Sequence, residues 1–211
     1  RMVEFEGDKE MMYRANFYLR TALRILKPIA NFKVQDEDEL YQAVKKTDWS
    51  SFFDVKSTFA VDSVVNSKYF SHSKYVALKV KDAIVDQFRD KFGKRPYVET
   101  DDPDVRLSVH ITNDLCTISL DSSGESLHKR GYRIKATKAP LNEVLAAGMI
   151  LLSGWDGKSV FIDPMCGSGT ILIEAAMIAH NIPPGIYRNR FAFENWNDFD
   201  DDLLQKIYDE D

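Results

Sequence analysis

Residues 159–176 read Ser-Val-Phe-Ile-Asp-Pro-Met-Cys-Gly-Ser-Gly-Thr-Ile-Leu-Ile-Glu-Ala-Ala, an apolar run, an acid, a glycine turn and a second apolar run. Val160, Phe161 and Ile162 predict a short strand covered on both faces, with Asp163 at its carboxyl end. Gly167 and Gly169 permit a tight turn and let the backbone approach a ligand closely. Residues 171–179 have helical character with few breakers. The chemistry available is capture of a polar ligand beyond a strand end, with N–H groups at the helix start facing an anionic group. This is not a phosphate loop, because no lysine follows Gly169. Nor is it the dinucleotide fingerprint, because Leu172 stands at the third glycine position. Glycine pairs also mark turns of purely structural purpose, so the turn alone leaves both readings open. Cys166 could be a nucleophile, but no Pro-Cys dipeptide or neighbouring base supports that. It is expected to be a small residue packed beneath the turn.

Several elements must position this turn. Residues 1–6 alternate like a strand, and 8–19 predict a helix capped by Asp8. Residues 21–34 predict a strand interrupted by Pro28. Residues 36–46 predict a helix whose acidic start and basic end match the helix dipole. Residues 58–65 predict a strand. The four-residue repeat of Val76, Val80, Ile84 and Phe88 predicts one long amphipathic helix over 73–92. Residues 105–111 and 115–120 predict a hairpin turning at Asn113-Asp114. Residues 141–152 predict a helix leading to the strand at Val160, and the polar segment holding Asp198 and Asp200 reads as loop.

The 211 residues suffice for one or two domains, and 44% hydrophobic content is ordinary for a globular chain. No apolar run approaches the roughly 20 residues of a membrane span, and the charged start lacks a signal-peptide core. Cys116 and Cys166 give neither a metal framework nor a disulfide pattern, so no metal is expected and the cytosol is the simplest location. The net charge of -5 argues weakly against a polyanionic partner, but its distribution does not. Residues 64–95 hold eight basic residues against three aspartates, 126–138 hold five basic residues and no acid, and 194–211 hold eight acids and one lysine. Such a bipolar chain can meet a polyanion with one face. Lys74, Lys81, Arg89 and Lys91 fall on the long helix, with Lys68, Lys94 and Arg95 at its ends. Any one of them is as well explained by a solvated helix face. As a cluster they are candidate phosphate contacts. Tyr69 and Tyr75 are candidate stacking residues, whereas Phe70 is expected in the core.

Asp163-Pro-Met-Cys-Gly-Ser-Gly-Thr170 resembles the first motif of class I S-adenosylmethionine-dependent methyltransferases, in the form found in enzymes that methylate exocyclic amines of nucleobases. The resemblance implies S-adenosylmethionine as cofactor, bound by Asp163, Pro164, Cys166, Gly167, Ser168, Gly169 and Thr170. Backbone N–H groups would hold its carboxylate, and Asp163 would accept from its ammonium.

Thr58-Phe-Ala-Val61, Lys79 to Asp86, Arg95-Pro96, Pro103-Asp104-Val-Arg106 and Ile118 to His128 resemble a THUMP domain. Arg130-Gly-Tyr-Arg133, Ala139-Pro-Leu-Asn-Glu143 and Ser153-Gly-Trp155 resemble its junction with a methyltransferase domain. In order, these motifs are similar to the bacterial THUMP-containing 23S rRNA guanine-N2 methyltransferases of the RlmL type. That implies an α/β chain in three parts: the later part of a ferredoxin-like domain (1–50), a THUMP RNA-binding domain (51–128) and the start of a Rossmann-like methyltransferase domain (129–211). It implies RNA as partner, 23S rRNA first and tRNA as the alternative. Arg130 and Arg133 then either contact RNA or line the cleft, or they fix the angle between domains. The family's amine-holding tetrapeptide, [ND]-P-P-[YF], has no match here, so no catalytic residue is assigned. Asn181-Ile-Pro-Pro-Gly185 has the wrong spacing and no aromatic residue. The chain is therefore expected to be an internal piece of a longer enzyme, against the alternative of a non-catalytic RNA-binding module.

Overall fold

The segments expected as strands at 58–65, 105–111 and 115–120 do form strands, and the four-residue repeat after the first of them forms the helix that lets it run parallel to its neighbour. The computed structural model describes residues 2–133 and 140–210. Ala139 of the junction motif, and Lys135 and Lys138 of the basic stretch, lie outside the described residues. The fold is mixed α/β and divides into two units. One comprises residues 26–124 and 192–199, and the other residues up to 25, 125–191 and from 200 onward.

The first unit is built on a five-stranded sheet. Its strands are β1 (Leu26–Lys33), β2 (Thr58–Asn66), β3 (Tyr97–Val98), β4 (Val105–Thr112) and β5 (Leu115–Asp121), in the order β1-β5-β4-β2-β3. β2 runs parallel to β4, from Phe59 opposite Val105 to Asn66 opposite Thr112, and parallel to β3. β5 is antiparallel to β4 through the Asn113-Asp114 turn, where Asn113 has φ 55°. Parallel neighbours need a long crossover, and α3 (Ser73–Phe92) provides it between β2 and β3. β1 closes one edge against β5. Its register slips between Pro28 and Ala30, so the proline sits in an edge strand, where its missing donor does least harm.

The core lies between one sheet face and two helices, α2 (Glu37–Lys46) and α3. Phe59, Val105, Leu107, Val109, Ile111, Ile118 and Leu120 are buried from the sheet. Val76, Val80, Ile84 and Phe88 of α3, and Leu40 and Val44 of α2, bury against them, as the periodicity predicts. The Phe53 ring lies 5.6 Å from Phe59 and 5.2 Å from Phe88. Asp36 caps α2 by accepting from the backbone N–H of Asp38 and Glu39. At the other end of α2, Gln87 of α3 donates to the Lys45 carbonyl (2.6 Å) and accepts from Trp49 N–H (3.0 Å), tying the helices together.

Residues 26–50 thus join the THUMP-like sheet rather than a separate first piece. An edge strand and a helix contribute nothing alone and must pack where a sheet edge and face are open.

The second unit contains α1 (Lys9–Tyr18), α4 (Glu143–Leu152), α5 (Thr170–Ala179) and α6 (Asp201–Asp209). Asp8 caps α1 as expected. Residues 2–6 form no strand and are exposed, because alternation without a partner ladder does not hold a strand. The predicted strand at Val160 is also absent. No strand occurs in this unit among the described residues, and Val160 and Ile162 are 86% and 78% exposed. α6 was not expected. Its signals were Asp200 as cap, accepting from Leu203 N–H (3.0 Å), and Leu204 and Ile207 on one face, both buried.

Phe88→Ala is expected to cost about 3–5 kcal/mol through the cavity it leaves. Leu78→Ala, at an exposed position of the same helix, should cost less than about 0.5 kcal/mol. Urea denaturation followed by tryptophan fluorescence measures both, and equal midpoint shifts would show that Phe88 does not anchor this core.

Candidate functional site

In the second unit, Gly169 (φ 75°) begins α5 from the left-handed region, and Gly167 has φ 54°. These conformations favour glycine for steric reasons. A Cβ built on either glycine meets no described residue within 4 Å, so it is the backbone conformation rather than crowding that calls for glycine. Gly169 N–H closes the turn onto the Cys166 carbonyl at 2.7 Å. Asp163 Oδ1 accepts from Met165 N–H at 3.0 Å, folding the acid back over the turn. α5 has no side-chain cap, which leaves first-turn N–H groups without a capping acceptor among the described residues. Cys166 is exposed and does not pack beneath the turn as expected, because the strand that would have covered it is absent.

The turn is held by charged groups reaching it from residues 130–133. Arg133 donates to Thr170 Oγ1 (3.0 Å), while its Nε donates to Glu143 Oε1 (3.1 Å) at the start of α4. A carboxylate there also suits the positive end of the helix dipole. Arg133 Nη1 is buried and has no hydrogen-bond partner among the described residues. Glu174, one turn into α5, is fully buried. Its Oε1 accepts from the Tyr132 hydroxyl (3.0 Å) and lies 3.5 Å from Arg130 Nε. Arg130, 2% exposed, also donates to the Leu127 carbonyl (2.8 Å) and to the Arg20 carbonyl. Arg20 in turn donates to the carbonyls of Met177 (3.2 Å) and Ile182 (2.7 Å), at the end of α5 and just after it.

Burial pushes the Glu174 carboxyl above its usual range, against the pull of Arg130 and Tyr132. Burial, reinforced by Glu174, raises the Tyr132 phenol, and burial lowers the Arg20 guanidinium. Arg130 therefore cannot offer its guanidinium to RNA as expected, since the interior uses it. Arg133 is committed to Glu143 and Thr170. Sequence reasoning missed Glu174 and Arg20. The available signal was a single acid inside the apolar run Thr170–Ala179, which must find a cation if it is buried.

Pro183, Pro184 and Gly185 are buried, and Gly185 N–H donates to the Phe17 carbonyl at 3.0 Å. A Cβ at Gly185 would lie 2.9 Å from the Phe17 ring. This segment packs on α1. Asp200 caps α6, and Asp198 pairs with Lys27 at 3.5 Å.

The predicted basic residues of the first unit divide by partner. Lys81 pairs with Asp82 (2.6 Å), Arg89 with Asp86 (3.0 Å) and Lys91 with Asp48 (3.1 Å). Lys45 neutralises Asp90 at 2.7 Å. Lys68, Lys74, Lys94 and Arg95 have no acidic partner among the described residues. The uncommitted cations thus gather at the two ends of α3 rather than along its middle. Among the described residues no cluster could hold a metal ion, and no helix is long and apolar enough to cross a membrane.

Three family models match consecutive parts of the chain: the RlmL ferredoxin-like domain at residues 1–26, the THUMP domain at 34–121 and the RMKL-like methyltransferase domain at 130–210. The chain carries a THUMP domain joined to an RMKL-like methyltransferase domain. It is 45% identical to the ribosomal RNA large subunit methyltransferase K/L of Desulfotalea psychrophila, over 99% of this chain and 30% of that protein. It is 41% identical to a putative RNA methyltransferase of Synechocystis, over 97% of this chain and 53% of that protein. A crystal structure of a putative methyltransferase complexed with SAH superposes with a TM-score of 0.81 at 34% identity, covering 97% of this chain and 54% of the other. The chain spans roughly a third to a half of the length of these relatives.

The Arg130–Glu174 pair makes a measurable prediction. Arg130→Met strands a buried carboxylate and should cost about 3–5 kcal/mol, whereas Arg130→Met with Glu174→Leu should cost less than the single change. The pH dependence follows from the raised Glu174 carboxyl. The folded chain keeps this proton where the unfolded chain has lost it, so this contribution declines as pH rises from the usual 4.5 toward the raised value. Urea midpoints measured across that window should show the decline in the parent and not in Glu174→Gln. Identical pH profiles would remove Glu174 as its source.

Proposed function

We propose that this chain is the RNA-binding and first cofactor-loop portion of an enzyme that transfers methyl from S-adenosylmethionine to the N2 amine of a guanine in 23S rRNA. The observation that carries this is the left-handed glycine turn at the start of α5, which has no side-chain cap among the described residues, in a chain that also carries a THUMP domain. The relative named as an rRNA large subunit methyltransferase and the neighbour complexed with SAH support the same reading.

The turn fits the methionine end of the cofactor, whose bound sulfonium supplies an activated methyl group. The N–H groups of Gly167 to Thr170 are the candidate donors to its carboxylate. Asp163 is the candidate acceptor for its ammonium. Pro164, Cys166 and Ser168 shape the turn between them. Arg133 acts at one remove by fixing Thr170. The exposed apolar residues Val160 and Ile162, with Leu145, Met149 and Leu152 of α4, are what further parallel strands would cover. No [ND]-P-P-[YF] tetrapeptide occurs in the sequence, and no residue of this chain is assigned to hold the target amine.

RNA is assigned to the THUMP unit. Lys68, Lys74, Lys94 and Arg95 are the primary phosphate contacts, because their charges are uncommitted. Lys81, Arg89 and Lys91 must first release carboxylates, so they are secondary.

Full-length enzyme should methylate unmodified 23S rRNA, and residues 1–211 alone should give no turnover. Radiolabelled methyl transfer to rRNA and tRNA measures this. Product on tRNA alone would overturn the rRNA assignment, and turnover by residues 1–211 would show the active site to be misplaced. A second measurement concerns the cations. Charge reversal at Lys68 and Lys74 should reduce the salt slope of RNA binding by about 1 per lysine. Reversal at Lys81 and Arg89 should reduce it less. The opposite ranking would return the RNA surface to the middle of α3.

A further inference from the structure

The segment joining β2 to α3 is anchored rather than loose. Phe70 is buried in the core. Ser67 Oγ donates to the Asn113 carbonyl and accepts from Tyr69 N–H at 3.0 Å. Asn113 N–H donates to the Asn66 carbonyl at 2.9 Å. Between this segment, the start of α3 and Glu37 of α2 lies an open cleft of about 500 Å³. Tyr69 and Tyr75 line it and are 39% and 42% exposed, over the buried Phe70. Two partly exposed tyrosines are held at the edge of a cleft on an anchored backbone, each with a lysine ammonium near its ring, Lys68 at 4.9 Å from Tyr69 and Lys79 at 6.0 Å from Tyr75. The remaining ring faces are offered at little ordering cost.

The charges around the cleft are unequal. Lys74 lines it without an acidic partner among the described residues, and Lys68 Nζ stands 4.9 Å from the Tyr69 ring centroid. Glu37, on the α2 side, repels phosphate but can accept from an exocyclic amine. The cleft therefore has a cationic side suited to a backbone and an aromatic interior suited to a base.

We propose that this cleft takes one unpaired base of the RNA, stacked on Tyr69 or Tyr75 with its phosphates against Lys68 and Lys74. The inference rests on the RNA-binding reading above and adds to it a site for a single-stranded nucleotide. Stacking on an aromatic side chain tolerates any base. The cleft thus selects for strandedness, whereas phosphate contacts along a duplex do not.

The test uses residues 1–211 and two RNAs, a hairpin with a single-stranded flank and the same hairpin without it. The flanked RNA is also made with abasic sites, and with 2-aminopurine as a stacking reporter. The parent chain should bind the flanked hairpin more tightly than the blunt one and quench the reporter. Tyr69→Ala with Tyr75→Ala should weaken flanked binding about 5- to 150-fold, abolish the quench and leave blunt binding unchanged. The abasic flank should lose a similar factor with the parent chain, and Tyr69→Phe with Tyr75→Phe should restore binding. Circular dichroism and urea midpoints confirm that the variants fold. If the double alanine variant binds flanked RNA as the parent does, or loses equally on both RNAs, the stacking site is overturned while RNA binding stands. If the parent binds neither RNA, the RNA reading falls and the site falls with it.

Discussion

A strand keeps its place only when its backbone N–H and C=O groups have partners on the neighbouring chain. That constraint separates the two units. In the THUMP unit, β2 and β4 pair along eight consecutive positions, from Phe59–Val105 to Asn66–Thr112, and β5 and β1 extend the ladder. The helices can then bury their apolar stripes on a surface that already exists. In the methyltransferase unit the described residues offer no ladder, and the apolar run Val160–Ile162 stays exposed despite its composition. The glycine turn is held from the helix side instead. Arg133 grips Thr170, and Glu174 ties α5 to Arg130 and Tyr132.

That second mode of support is chemically demanding. A carboxylate as buried as Glu174 is tolerable only with cations and hydroxyls around it. Arg130 and Tyr132 meet that need at Oε1, and the charge of Arg20 adds to it from a separate stretch of chain. The arrangement fixes the segment that leads out of the THUMP unit onto the helix of the cofactor turn. The same segment also packs tightly on the chain after α5, since a Cβ at Gly131 would lie 2.0 Å from the Tyr187 carbonyl oxygen.

Charge on the THUMP unit is similarly a matter of neighbours. The three aspartates of α3 each take up a cation, two of them from α3 itself and the third from Lys45. Such surface pairs contribute little stability individually. They do neutralise the middle of the helix, and so the free positive charge lies at its ends, next to exposed tyrosines at one of them. Counting cations along the sequence shows a basic helix; pairing them in space shows where a polyanion would be drawn.

Much of this was legible in the sequence. The boundaries of α3, the hairpin at Asn113-Asp114, the cap at Asp8 and the order of the family motifs all depend on residues close together in the chain. Periodicity, turn chemistry and glycine spacing are local, and locally encoded features survive folding. Tertiary structure alone decided the rest. β1 and α2 joined the THUMP sheet because an edge and a face were open to them. Arg130 went inside because Glu174, 44 residues away, needed a cation. Residues 2–6 and 160–162 have the composition of strands but formed none, because a strand is a relation between two segments and a single sequence pattern specifies only one of them.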